Sequence, residues 1–364
     1  MSPIRIEAAV LALTACLAAP ACSKRASLPD QAPDAASVGR CGAAIDHARI
    51  CGDWEDVVAA CDGDASVHDS LPELATSSCF VPVTHGEAGL PRAGDTPDGC
   101  GYPSDRRLVE EQLLREAARY ERIARGHEPS LPMAFDCALP DAARQVAAMH
   151  NATVLRTLGS RLDRGRFPYA TIATFGFGTA DMRKSPLADW QPGEACRPLD
   201  KREMDRLSVN VQRAGLAAAS FHGGVAPIVT VSGAAVRSAP MIEAFMLLHL
   251  LRCRFGVPED AVLLDPCADH THTNLRNTGG LIRRLGGRQG YVITDTALQG
   301  GYLQEWTIFW LIGGSIDQRA LRDWGYVLGA WRQASVGYDA GFWFTPYRFW
   351  GEPHDGLGGV SCLR

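Results

Sequence analysis

The stretch 265–277, "DPCADHTHTNLRN", gathers two aspartates, two histidines, two asparagines and a cysteine into thirteen residues. Three chemistries fit these residue types. Asp269, His270 and His272 are ligands that zinc or another divalent ion accepts. In an extended loop the two histidines share a face, and Asp265 or Asp181 would have to complete the set. Alternatively, Thr271 and Asn274 stand where a loop enters a helix. Free N–H groups and the positive end of the helix dipole suit a phosphate or carboxylate there. The stretch can also be a capping loop that satisfies itself without any ligand. The anion cradle is the reading taken forward, and no metal is assigned.

Other residues have chemical types that could serve the same site. Glu243 lies among apolar neighbours in "APMIEAFMLLHLL", one turn past a Ser-Gly loop. A carboxylate near a strand end can act as general acid or base, or orient a ligand hydroxyl. It can equally complement the dipole of the helix it opens. Ser232 and Gly233 follow an apolar run, but Thr230 and Ala234 stand where a nucleophile elbow has glycines. A ligand-lining backbone turn is therefore preferred to an attacking serine. Gly176 and Gly178, in "GFG", are too few for a dinucleotide fingerprint and instead let a ligand approach the backbone. Asp181 and Asp295 follow strands and are secondary candidates.

These residues need elements that bring them together. Two helical patterns come first, "SDRRLVEEQLLREAARYERIARGHE" with Ser104 or Asp105 as cap, and "LPDAARQVAAMHNATVLRTLGSRL" with Asp141 as cap. From 167 the texture becomes strand, helix, strand, helix. The strands are read in "YATIATF", "APIVTVS", "DAVLLD" and "QGYVITD", with helices between them. Strict alternation implies α/β architecture with a parallel sheet and crossover helices. Ligands of such sheets sit beyond the carboxyl ends of the strands. The loops after Ala173, Val231, Leu264 and Ile293 are thus expected to converge. "LQEWTIFWLIGGS" reads as a buried helix, and the aromatic tail "GFWFTPYRFWGEPHDGLGGVSC" as an added strand and loop.

Length and charge set the outer limits. The 364 residues are 46% hydrophobic and 21% charged, with a formal net charge of -5 and no long basic run. A nucleic-acid partner has no electrostatic support. The first residues, "MSPIRIEAAVLALTACLAAPACSKR", hold an early arginine, a short apolar run and small residues before a cysteine, the anatomy of an export signal. Lipidation at Cys16 or Cys22, or simple cleavage after "APA", are all compatible with it. Of the twelve cysteines none forms a CxxC pair, which favours disulfides in an oxidising compartment over zinc ribbons. Cys253, inside an apolar helical run, is read as a buried thiol. The organisation is an export signal over 1–22 and a flexible tether over 23–40. A cysteine-rich, largely helical region covers 41–166, an α/β domain 167–334 and an aromatic, Gly-rich extension 335–364.

The order of motifs in the α/β domain resembles the YdcF-like (DUF 218) family, which includes the SanA and ElyC envelope proteins. The likeness runs through "IATFGFG", the Ser-Gly turn of "APIVTVSGAA", Glu243-Ala244 with "FGVPEDAVLLD", "HTHTNLRNTGGLI" and "YVITD", about residues 167–300. It implies a Rossmann-like fold and, for an exported member, a role in cell-envelope metabolism. It implies a phosphorylated or lipid-linked cell-wall precursor as partner, in line with the small anionic ligand read at the helix start; membrane contact comes from the lipid anchor offered by Cys16 or Cys22, and the cofactor is unknown. Gly176, Gly178, Ser232, Gly233, Glu243, Thr271 and Asn274 occupy family positions. His270 stands for the motif asparagine, Thr273 for the motif glutamate and Ala234 for the second glycine. Leu298 stands where relatives have a histidine, and Gly301 where they have an arginine. A catalytically inactive envelope lipoprotein that binds a ligand or partner is the alternative this leaves open.

Overall fold

The computed structural model describes residues 101–102, 106–127, 139–163, 167–178, 184–235, 241–295, 299–303, 314–324, 328–333 and 340–345. The export signal, the tether, the region 41–100, Asp181, Leu298, the run 304–313 and the tail beyond 345 lie outside the described residues. Among the described residues no helix is long and apolar enough to cross a membrane.

Two helices open the described chain, α1 (Arg106–Ala124) and α2 (Asp141–Leu162). Asp141 is not the cap of α2: Pro140 holds that position, and Asp141 sits in the first turn, where its charge suits the dipole. The helix continues through Gly159 to Leu162.

The sheet then begins. Strand β1 (Ile172–Phe175) is followed by α3 (Lys201–Arg206) and α4 (Ser208–His222), then β2 (Val229–Ser232). Helix α5 (Glu243–His249) runs into a π-turn at Leu250–Arg254, and β3 (Val262–Asp265) follows. Helix α6 (Thr271–Arg284) leads to β4 (Gly290–Thr294). After these come α7 (Gln299–Leu303), α8 (Ile316–Trp324), β5 (Ala330–Gln333) and β6 (Ala340–Thr345).

The result is an α/β fold with a mostly parallel sheet in the order β3-β2-β1-β4-β6-β5. Strands β1 to β4 are parallel, whereas β6 runs antiparallel to both β4 and β5. The chain steps outward from β1 to β3, then returns to the far side of β1 with β4. The order therefore reverses at β1, and the carboxyl ends of the strands at such a switch point are where ligands of open α/β sheets bind.

Period-two alternation splits the strands between two cores. Ile172, Val229, Val231, Val262, Leu264 and Ile293 pack with Ala214, Ala217 and Ala218 of α4 and with the apolar side of α5. Ala173, Phe175, Leu263 and Val292 pack on the opposite face, with Ala148, Ala152 and Leu155 of α2 and Leu275, Leu281 and Ile282 of α6. Phe342 and Phe344 of β6 join this second core. Both faces are covered, which is why the strands read as nearly unbroken apolar runs.

The helices before residue 167 are thus part of the sheet's packing. Strand β3 lies at the sheet edge, and α2 closes that edge with side chains. Asn151 donates from Nδ2 to the Leu264 carbonyl at 2.8 Å and accepts from the Leu264 N–H at 2.8 Å. His150 Nε2 lies 2.7 Å from the Val262 carbonyl. An edge strand with unmet backbone groups invites pairing with another chain, and this contact removes that opening.

Cys253 is not a free thiol. It forms a disulfide with Cys196, which ties the segment 184–200 to the π-turn behind α5. Nearby, the Arg197 N–H donates to His249 Nε2 at 2.9 Å. Burial, with Arg252 and Arg197 close by, pushes that imidazole down to about 4, so it is neutral and can accept.

Replacing Asn151 by alanine leaves two buried backbone groups of β3 without a partner. We expect a loss of roughly 1–3 kcal/mol for each orphaned group, measured by denaturant unfolding. A loss within about 0.5 kcal/mol, typical of a surface substitution, would contradict the edge-closing role.

Candidate functional site

The loops after β1, β2 and β3 meet at the carboxyl end of the sheet. The Gly176 N–H donates to the Ser232 carbonyl at 2.8 Å, and the Gly233 N–H to the Asp265 carbonyl at 2.9 Å. Parallel pairing thus continues one step beyond the strands. Glu243, the first residue of α5, is buried and lies across both glycines. A Cβ on Gly176 would come within 2.2 Å of Glu243 Oε2 and 2.3 Å of its Cβ. A Cβ on Gly233 would meet the same atoms at 2.6 and 2.7 Å. Gly233 also has φ +150, a backbone conformation that side chains rarely adopt. Two turns therefore lack side chains where one carboxylate passes. The Ala244 N–H donates to the Gly233 carbonyl at 2.9 Å, which fixes the start of α5 against the turn.

Beside the glutamate is a buried polar network. Ser232 Oγ lies 2.6 Å from Asp265 Oδ2 and 2.6 Å from Asn274 Oδ1. Asn277 Nδ2 donates to Asp265 Oδ1 and Oδ2 at 3.2 and 3.0 Å, and the Cys267 N–H reaches Oδ1 at 3.3 Å. Asn274 and Asn277 sit three apart on α6 and so share one helix face. Asp265 is the last residue of β3, and burial raises its carboxyl well above the usual carboxylate range.

Helix α4 braces the first turn from below. Arg213, fully buried, donates from Nη1 to the carbonyls of Phe175 and Gly176 at 2.6 and 3.1 Å. Its Nη2 pairs with Asp295, just after β4. Burial lowers the guanidinium's pKa, and Asp295, then Glu243, oppose that shift. Asn210, one turn earlier, clamps Phe177 at both backbone groups, at 2.8 and 3.0 Å. The turn 175–177 is thus held by side chains of α4, and Gly178 stands at its end.

The structure brings Gly176, Ser232, Gly233, Glu243 and Asn274 to one end of the sheet. Thr271, the first residue of α6, is half-buried and stands one turn before Asn274. The histidines are arranged differently from the expectation. Residues 271–273 are not an extended loop but the first turn of α6, although the His270 and His272 rings still lie 5.7 Å apart. His272 turns to α8, where Nε2 lies 3.0 Å from Asp323 Oδ2. His270 is exposed and pairs with Asp269 at 3.1 Å. Among the described residues no group of three His, Cys, Asp or Glu side chains could hold a metal ion.

Arg213, Asn210 and Asn277 were not chosen from the sequence, and Asp265 was named there only as a further metal ligand. Asn210 and Arg213 had a signal, two polar residues three apart in the alanine-rich "VNVQRAGLAAA". Asp265 had another, a charge closing an otherwise apolar strand. No family model, curated protein or solved structure matches the chain.

Asp295→Ala strands the buried Arg213 charge. Breaking one partner of such a pair costs about 3–5 kcal/mol, and replacing both residues by apolar ones should cost less. Denaturant unfolding of the single and double variants measures this. A single-variant loss below about 1 kcal/mol, as for a surface pair, would show that the pair carries no buried charge.

Proposed function

We propose that this chain is an exported cell-envelope protein with a Rossmann-like, YdcF-like domain, acting on a phosphorylated or lipid-linked cell-wall precursor. The observation that carries the reading is Glu243 lying across Gly176 and Gly233, beside the Ser232–Asn274 contact. The strand order that reverses at β1 supports the Rossmann-like assignment. In this reading Glu243 accepts a proton from, or orients, a hydroxyl next to the bound phosphoryl group. Thr271, Asn274 and the first turn of α6 form the anion cradle, while the glycine turns admit the ligand to the backbone. Export is supported by the apolar N-terminal stretch and by the Cys196–Cys253 disulfide, which an oxidising compartment preserves. A lipid on Cys16 or Cys22 would hold the chain at the membrane.

A second reading is a ligand- or partner-binding lipoprotein without catalysis. It is favoured by Leu298, where the resembling family has histidine, and by Ser232, whose hydroxyl is engaged by Asp265 and Asn274. One assay separates the two. Thermal shift with inorganic phosphate, nucleotides and lipid-linked wall precursors should find a phosphate-bearing compound that stabilises the chain. A hundredfold excess of ligand over Kd adds about 2.7 kcal/mol, a readily measured shift. Asn274→Ala and Glu243→Ala should each abolish it. Turnover of the precursor by the wild type but not by Glu243→Gln supports the enzyme. Binding without turnover supports the second reading, and no response to any compound contradicts the first and leaves the partner-binding form of the second.

A further inference from the structure

The hydroxyl of Ser232 has one hydrogen, yet it stands 2.6 Å from two oxygens, Asp265 Oδ2 and Asn274 Oδ1. It can donate to only one of them, so the other contact needs a proton from elsewhere. Two arrangements satisfy this. If Asp265 is ionised, Ser232 donates to it, and the Asn274 amide must be turned so that Nδ2 donates to Ser232. If Asp265 is neutral, its Oδ2–H donates to Ser232, and Ser232 donates to Asn274 Oδ1. The amide N–H2 of Asn274 then points away from Ser232.

The surroundings of Asp265 choose between them. It is buried at the end of β3, and no cation lies against it among the described residues. From β2 it meets Ser232, from α6 Asn277, and from its own loop the Cys267 N–H. The titratable group facing it from α1 is Tyr120, whose pKa burial pushes upward, so it is a neutral phenol. The other strand-end aspartate makes the contrast: Asp295 has the Arg213 guanidinium against it. At Asp265 burial outweighs the donors from Ser232, Asn277 and the Cys267 N–H, and no guanidinium adds to them as it does at Asp295. Glu243, another acid, packs on the next residue, Gly233.

We infer that Asp265 is kept as the neutral acid and, through Ser232, fixes Asn274 with its amide N–H2 turned outward as a donor for an oxyanion. Asp265 is a positioning residue: it touches Ser232, and Ser232 sets the asparagine. The inference rests on the anion-binding reading only for its consequence; the proton itself can be sought without any ligand. Binding of an anion is then linked to that proton. Deprotonating Asp265 reverses the chain of hydrogen bonds, presents Oδ1 of Asn274 instead, and weakens the anion.

Infrared spectroscopy of the full chain with isotope-labelled aspartate tests the proton directly. The wild type at neutral pH should show a carboxylic-acid C=O band that Asp265→Asn lacks. Should that variant fold poorly, Ser232→Ala should retain the band at a shifted frequency, since the acid loses its acceptor. No acid band in the folded wild type, or one unaffected by either substitution, overturns the inference. Inorganic phosphate then tests the consequence. Above the pH at which the band disappears, wild-type affinity should fall by about tenfold per pH unit relative to Asp265→Asn. The titration of phosphate itself is common to both proteins and cancels. An acid band with no phosphate affinity leaves the proton in place and overturns the phosphate reading of the site. The sign for stability agrees. A carboxyl raised in the folded state binds its proton more tightly there than in the unfolded chain. Stability should therefore decline as pH rises from the ordinary aspartate range to the pH where the band is lost, and less so in Asp265→Asn.

Discussion

A carboxylate that passes over two backbone turns is the constraint on which the rest of this site depends. Glu243 occupies space that a Cβ on Gly176 or Gly233 would need. Its position fixes how α5 leaves the second turn, through the Ala244–Gly233 hydrogen bond. The same turns hydrogen-bond to one another and to the end of β3, so the ends of β1, β2 and β3 form one rigid rim. Arg213 and Asn210 hold that rim from α4, by carbonyls and N–H groups that the sheet itself does not satisfy. Buried backbone groups must find partners, and here long side chains supply them.

Two aspartates close neighbouring parts of the same rim under different conditions. Asp295 is paired with a buried arginine, whereas Asp265 is surrounded by neutral donors. Groups of one type placed in unlike environments take unlike protonation states. The charge of the rim is therefore distributed by packing and not by composition. Glu243 supplies the acid nearest the glycines, and Asp265 acts through Ser232 on the asparagine of α6. The Cys196–Cys253 disulfide holds the π-turn that continues α5, so the helix that carries Glu243 is tied before and after.

The alternation of strands and helices was legible because each strand is apolar on both faces and each is followed by turn residues. The added strand in the aromatic tail was legible in "GFWFT", which became β6. Pairings at a distance were not legible. Asn151 reads as one more polar residue of α2, although its amide closes the edge of β3 more than a hundred residues later. The histidines misled because two residues of ligand type two apart suggest an extended loop. The helix in fact begins at Thr271, and His272 is taken up by Asp323 of α8. Cys253 looked like a buried thiol because its neighbours are apolar, and nothing local names Cys196 as its partner. Glycines 176 and 233 could be marked as permissive, but not that the same glutamate requires both.

The most direct test of the central claim is a crystal structure of the full chain grown with phosphate. The account predicts an oxyanion beside the Asn274 amide and the first turn of α6, with the Glu243 carboxylate still lying across Gly176 and Gly233. Phosphate bound elsewhere, or Glu243 swung out to solvent with the glycine turns apart, would contradict it.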